Sequence, residues 1–396
     1  MFESILVKNQ RITDPDNILD LGMLAEMLLF YQSVTILANR GILKQLLCEI
    51  GPETLIELIE GEHLNIIYLD NTLGIKTENT NTAHERHSPV VLSVEGHAGY
   101  RTVRTLFDEL IPSPGKARRG ANRFFKGIKT DEYEAGICKE ITTDFSDSNV
   151  VERSIIQTIK HYAPEYPNIE NINFAIDNDN DSLVVETNIN FPQLNKIYQT
   201  RVPTSHSSLS PASLLSHLFT LRGDINFTAK FQSEIATDPL TSKLMHLNYE
   251  ELIQQRIHSE EELHLFQDFV FDDIKAIAQA INSKRRTFED LLKVLEKSKK
   301  FKVWLKDQKP DKKLIKEYHR AVTEGSWVDD LPVKQIRWSM FTGFGIVLDA
   351  LAPSGVATAV GLASGLANSF LLDKIIKGWQ PNQFVNSELR EFVKSN

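Results

Sequence analysis

Several residue groups in this chain are of types that could do chemistry, and most of them fail a test of spacing. In "SVEGHAGYR" (93–101), Glu95 and His97 follow a short apolar run, so a strand end would present a carboxylate and an imidazole together. That pair suits acid–base work, which needs a group titrating near neutral pH. Gly115-Lys116 has the look of a phosphate-cradling loop. The glycine required five residues earlier is Leu110, however, and the Ser or Thr required after the lysine is Ala117. The basic residues beside it, Arg118, Arg119, Arg123 and Lys126, with Lys129 beyond, remain candidates for gripping an anion, because guanidinium groups match phosphate oxygens.

Metal and nucleophile patterns are weaker. His84 and His87 lie in the polar stretch "TENTNTAHERHS" (77–88), read as a loop, without a further ligand nearby. Asp177, Asp179 and Asp181 begin like a calcium loop, but Ser182 stands where its glycine belongs and Asn188 where its glutamate belongs. Glu261 and His264 form one half of a bundle metal site that has no second half. In "GLASG" (361–365), Ser364 falls one place too late for a nucleophile elbow. Cys48, among leucines, reads as a small core residue rather than a thiolate. No metal and no cofactor is expected.

The elements that must position any such group follow from composition and pattern. The 396 residues suggest more than one domain, and 41% hydrophobic with 24% charged residues is ordinary for a folded chain. The net charge of −9 argues against a surface that coats nucleic acid as a whole. Two cysteines make no disulfide framework, and the N-terminus lacks the basic-then-apolar signature of a signal peptide, so a cytoplasmic setting is expected. Charge is uneven: residues 281–320 hold 14 Lys or Arg against 6 acids, and residues 101–129 hold 8 against 2.

A mixed α/β fold is expected, with an N-terminal α/β region (1–112), a basic loop and β-hairpin region (113–205), a helical region (206–330) and an apolar helical hairpin with a tail (331–396). "FESILVKN" (2–9), "LNIIYLD" (64–70) and "PVVLSVEG" (89–96) read as strands, as does "LLFYQSVTIL" (28–37). "PDNILDLGMLAEML" after Asp14 and "GPETLIELIEGEH" read as helices. "IPSPGKARRGANRFFKGIKTDEYEAG" (111–136), rich in Gly, Pro and basic residues, reads as a long exposed connection. "NINFAI" and "SLVVETNINF" flank "DNDND" as a hairpin. Further on, Ser210 and Pro211 open a helix, residues 248–283 keep helical period, and Phe288, Leu291, Leu292 and Leu295 line one side of an amphipathic helix.

The C-terminal apolar stretch carries the sharpest hypothesis. Residues 350–372 hold no charge over 23 positions, which at about 1.5 Å each would reach roughly 34 Å. On a helical wheel, bulky side chains take one half, while Ala357, Gly361, Gly365 and Asn368 fall on the small half. Gly361 and Gly365 have the spacing of close helix approach. Trp338 and Trp379 flank the hairpin as interfacial anchors would. Asp349 and Arg337 leave only 11 uncharged residues in the partner helix, too few to cross a bilayer. Two environments fit: the protein's own core, or conditional insertion.

The leading expectation is a non-enzymatic intracellular sensor or effector, serving prokaryotic stress or phage defence. It recognises a ligand or protein partner through the N-terminal region, then oligomerises or attacks an anionic membrane surface through the hairpin. A hydrolase or nuclease on the α/β region, using Glu95, His97 and the arginine-rich loop, is the alternative. A nucleic-acid-binding protein using 284–320, with Phe301, Trp304 and Tyr318 as stacking groups, is the third reading.

Overall fold

A computed structural model describes residues 4–8, 18–79, 85–93, 98–134, 136–145, 147–179, 182–202, 207–231, 233–238, 240–241, 243–245, 247, 276–306, 388 and 390–393. The short Val/Ile/Leu runs β1 (Ser4–Val7), β2 (Ser33–Ala38) and β3 (Leu64–Leu69) pair in parallel. β6 (Lys129–Asp131) and β9 (Glu234–Ala236) extend them into a sheet of order β6-β3-β2-β1-β9. Successive side chains divide between two cores. Ile5, Val7, Val34, Ile36, Leu64 and Ile66 enter one cluster; Leu6, Leu37 and Ile67 enter the other. Parallel strands covered on both faces need such near-continuous apolar runs.

The connections explain the two cores. α1 (Leu21–Phe30), α2 (Arg40–Glu49), α3 (Pro52–Glu60), α4 (Ala98–Leu110) and α5 (Pro114–Gly127) carry the chain from β1 through β2 and β3 to β6. All of them bury into the first cluster. α6 (Ile137–Asp144), α7 (Ser148–Tyr162), α8 (Phe191–Tyr198) and α9 (Pro211–Phe231) lie between β6 and β9 and bury into the second. Steps toward β6 run one way; the return to β9 lands on the far side of β1. Crossovers of constant hand put outgoing and returning helices on opposite faces. A second, antiparallel sheet of β4 (Asn71–Asn79), β5 (Glu85–Ser93), β7 (Phe174–Asp179) and β8 (Ser182–Thr187), in the order β4-β5-β8-β7, packs into the second cluster.

Helix ends follow local chemistry. Asp20, Asn39, Asp147 and Asn190 each cap a helix with a side-chain oxygen. Ser210 and Ser213 exchange side-chain to backbone bonds at the start of α9, as the Ser-Pro opening predicts. Far along the chain, α10 (Ala276–Asn282), α11 (Phe288–Lys306) and α12 (Arg390–Val393) join the first core through Ile277, Phe288, Leu291, Leu295, Phe301 and Phe392. α10 docks on α1 at Gly22, where a Cβ would stand 2.7 Å from the Ala278 Cα, so a larger residue does not fit. Glu26 of α1, 1% exposed, accepts from the Ala278 amide at 3.1 Å.

Some expectations need correction. The stretch 111–136 is not a long exposed connection: α5 fills most of it and buries Ala117, Ala121 and Phe124. Its glycines permit packing, since a Cβ on Gly120 would lie 2.8 Å from the Phe107 ring. The polar stretch 77–88 is largely strand, because β4 runs to Asn79 and β5 starts at Glu85. Pro89 is tolerated within β5 because β8 pairs only with Arg86 and His87. Residues 28–30 continue helix α1, which starts at Leu21 after the Asp20 cap, and the strand begins at Ser33. Cys48 is exposed, not a core residue; the buried stripe of α2 at Ile42, Leu43, Leu46 and Leu47 leaves it facing out. The expected hairpin of β7 and β8 is present, as are the helix with Phe288, Leu291 and Leu295 buried and the mixed α/β character with an N-terminal sheet.

β6 and β9 come from segments 113–205 and 206–330 and complete the sheet begun by residues 1–112. Among the described residues no helix is long and apolar enough to cross a membrane. The expected hairpin over 331–380 and the stretch 248–275 lie outside the described residues.

Burial raises the Glu26 carboxyl well above its ordinary range, with the Ala278 amide pulling the other way. The folded state thus holds a proton that the unfolded chain has lost, so stability falls as pH rises above the ordinary carboxylate range. Glu26→Gln keeps the bond to Ala278 and removes the titration. Urea unfolding is expected to show the variant more stable by on the order of 2 kcal/mol at pH 8, with little difference at pH 4.

Candidate functional site

The polar site of the molecule is built where β1 and β9 end. The apolar run of β1 stops at Val7, and Lys8 extends the pairing by one bond, its amide donating to the Ala236 carbonyl at 3.1 Å. The Lys8 side chain is 13% exposed and ion-paired with Asp224 of α9, which is 1% exposed. The same ammonium donates to the Tyr133 hydroxyl at 3.3 Å. Tyr133 follows β6 and is fixed by Asn71, the first residue of β4. The Tyr133 amide donates to Asn71 Oδ1 at 2.8 Å, and Asn71 Nδ2 donates to the Tyr133 carbonyl at 3.2 Å. Gly223 lets the ring approach α9, since a Cβ there would lie 2.7 Å from the Tyr133 Cε1 atom. The Phe227 ring meets Tyr133 edge-on at 5.0 Å.

Asp238, 4% exposed, closes the other side just after β9. Its Oδ1 accepts the amides of Leu240 and Thr241 at 2.9 and 3.0 Å. Burial raises its carboxyl above the ordinary range against those bonds. Burial also opposes both charges of the Lys8–Asp224 pair. Asp224 and Tyr133 more than compensate at Lys8, whose ammonium is held above its usual range. The Asp224 carboxyl stays raised, by burial first, with Asp238 adding to it against the pull of Lys8.

The remaining strand ends are also polar. Asn39 caps α2 after β2. Asp70 after β3 accepts the Gly99 amide at 3.1 Å, and Asp131 ends β6 paired with Lys230 at 2.8 Å. In open parallel sheets the crevice for ligands lies outside the carboxyl ends, where strand order reverses. Here the reversal falls between β1 and β9, at Lys8 and Asp238. Among the described residues, two of the three Lys8 donors are engaged. The arrangement can orient one polar group against a fixed cation and a phenol, within reach of strand-end carboxylates.

The residues singled out from sequence do not converge here. Arg118, Arg119 and Lys126 lie exposed on α5, while Arg123 is held by Glu60 and, at 3.4 Å, by Glu53 of α3. Glu95, His97, Trp338, Ala357, Gly361, Gly365, Asn368 and Trp379 lie outside the described residues, as do His84, Asp181, Glu261, His264 and Tyr318. His87 is a buried strand residue whose Nδ1 lies 3.0 Å from the Thr77 hydroxyl. Phe301 is 1% exposed in the core, so it is not a stacking group. No group of three or more His, Cys, Asp or Glu that could hold a metal ion occurs among the described residues. Cys48 lines a groove of about 580 Å³ between α2 and the α10–α11 turn, with Gln45, Ile50, Ile281, Arg286 and Phe288.

Lys8, Asp224, Tyr133 and Asp238 were not among the sequence candidates, yet two left a trace. Leu214, Leu218 and Leu221 set a buried stripe on α9, and Asp224 occupies its next place. Lys8 is the first charge after a buried apolar run.

The fold defines a class: a parallel, doubly wound α/β domain with a buried polar cluster at the strand-order reversal. Comparison with protein-family models, characterised proteins and solved structures gives no match in any of the three.

Removing one partner of a buried pair leaves the other charge uncompensated. Lys8→Met is expected to cost roughly 3–5 kcal/mol, and Lys8→Met with Asp224→Leu to recover most of it. Urea unfolding of the single and double variants checks this; equal loss in both would show that the pair is not the coupled unit.

Proposed function

We propose that this protein is a non-enzymatic sensor and effector acting inside the cell. The crevice at β1 and β9 recognises a small polar ligand or a side chain of a protein partner. The apolar segment within 331–380 then self-associates or enters an anionic membrane surface, in a role such as prokaryotic stress or phage defence.

The observation that carries this reading is how the chain is joined. α11 ends at Lys306, and the chain is back on the same helical unit at Glu388. Lys297 pairs with Glu388 at 2.7 Å, and Arg286 donates to the carbonyls of Glu391 and Phe392 at 3.0 and 2.8 Å. Phe392 is buried in the first core. The residues between, which include Gly361 and Gly365, are thus attached to the core at both ends. A core with its own polar cluster at the ends of β1 and β9, joined to an apolar segment at both of that segment's ends, supports a division of recognition from action.

The test uses the full chain with anionic liposomes that hold a self-quenched dye, beside Gly361→Leu, which blocks close helix approach. Dye release by the wild type that falls at least tenfold in Gly361→Leu is the expected result. No release and no co-sedimentation, across pH and salt, would overturn the membrane half of the proposal.

A further inference from the structure

The last described element of the chain, α12, packs on α10 and α11. Phe392 is 5% exposed and belongs to the first core, while Glu391 beside it is exposed. Arg286 holds the segment in two ways. Its Nε and Nη2 atoms donate to the Phe392 and Glu391 carbonyls at 2.8 and 3.0 Å. Its guanidinium carbon lies 5.9 Å from the centre of the Phe392 ring. At the rim, Lys297 of α11 pairs with Glu388 at 2.7 Å. Glu388 and Phe392 are four places apart, the spacing that sets two side chains on one side of a helical turn.

The seat is built without the segment. Where α10 ends, the Lys284 amide donates to the Ile281 carbonyl and the Arg286 amide to the Ala280 carbonyl, both at 2.9 Å, with Lys284 in the left-handed region at φ 58°. Thr287 and Asp290 then cap α11 reciprocally, each amide meeting the other's side-chain oxygen at 3.2 Å. These bonds fix the Arg286 backbone from both sides, and none of them involves α12. The segment has no such support, since a four-residue helix does not form on its own. A preset arginine-bearing turn, facing a short peptide with one buried aromatic anchor and a charge at the rim, has the anatomy of an interface.

We propose that the α10–α11 turn is a docking site for the segment Glu388–Phe392, and that it takes this segment from a second copy of the chain as well as from its own. Every copy carries both halves, so reciprocal exchange remakes each contact of the closed chain across a two-fold axis and loses none. The exchanged segment follows residues 331–380, so the apolar segments of two copies become joined to the same pair of cores. In that respect the inference rests on the proposed function, as the route by which self-association starts; the docking itself needs no membrane.

The test uses full-length chains that each lack one half. Arg286→Ala breaks the seat and keeps the segment; Phe392→Ala keeps the seat and breaks the segment. Sedimentation velocity is expected to show a one-to-one complex when the two are mixed and none of it in either alone. A second pair leaves the buried ring in place. Lys297→Glu and Glu388→Lys each set like charges at the rim within one chain, and only exchange between the two variants restores both ion pairs. That mixture is expected to pair about tenfold more tightly than either variant pairs with itself. No complex between Arg286→Ala and Phe392→Ala, both folded by circular dichroism, would overturn the proposal. A charge-swapped mixture no tighter than its parts would do the same, and it decides alone where an alanine variant does not fold. Exchange without dye release from liposomes upholds the docking and overturns only the membrane half of the proposed function; dye release without exchange does the reverse.

Discussion

A parallel sheet covered on both faces has no room for polar side chains except at its two edges. In β1, β2 and β3 the inner side chains are apolar apart from the register partners Thr35 and Asn65 and the phenol of Tyr68, and the apolar ones point into one or other core. Polar chemistry is thereby displaced to where the strands begin and end. The carboxyl edge receives Lys8, Asn39, Asp70, Asp131 and Asp238; the amino edge receives His63. Which of these positions lies at the reversal of strand order is then a question of connectivity, and the return of the chain to β9 beside β1 answers it. Helices leaving β1 and helices arriving at β9 lie on opposite faces, into the first and the second core.

The first core depends on a second constraint, the close docking of α10 on α1 across more than 200 residues of chain. Gly22 lets the two backbones meet, and the contact is then stitched by polar groups. The Gly22 amide donates to Asn282 Oδ1 at 2.9 Å, Asn282 Nδ2 donates to Asp20 at 2.9 Å, and Glu26 takes the Ala278 amide. Each bond contributes about 1 kcal/mol net, less than the burial of Ile277, Leu291 or Leu295 beside it. Their value is registry, and at Glu26 an unmade bond would also strand a buried carboxyl. The anchor explains why α11, and through it Glu388 and Phe392, belong to the α/β core.

How much of this was legible in the sequence depends on how local the cause is. β3 and α3 could be read because their signals sit within ten residues: a β-branched run, a proline in the first turn, a glycine after the last. α11 and the β7–β8 hairpin were legible for the same reason. α5 was not. Its glycines and arginines, taken locally, are loop composition; only packing against Phe107 of α4 and Ile59 of α3 turns Gly120 and Gly127 into close-contact positions. The arginine cluster was visible as charge, but not its dispersal, because Glu53 and Glu60 come from a separate helix. The crevice was least legible, as Lys8, Asp224 and Tyr133 are brought together from positions up to 216 residues apart.

The distribution of positive charge follows from the same packing. α5 and α11 are the basic helices, and α3 packs against both. Toward α5 it presents Glu53 and Glu60, which neutralise Arg123; toward α11, among the described residues, it presents His63 just beyond its end and no ion pair. Among the described residues the two basic helices therefore meet α3 differently, α5 through an ion-paired arginine and α11 without an ion pair to it. A uniform basic surface would have left both sides alike. Arg123 is thereby paired across the contact of α3 with α5, while Arg118, Arg119 and Lys126 of the same helix face solvent.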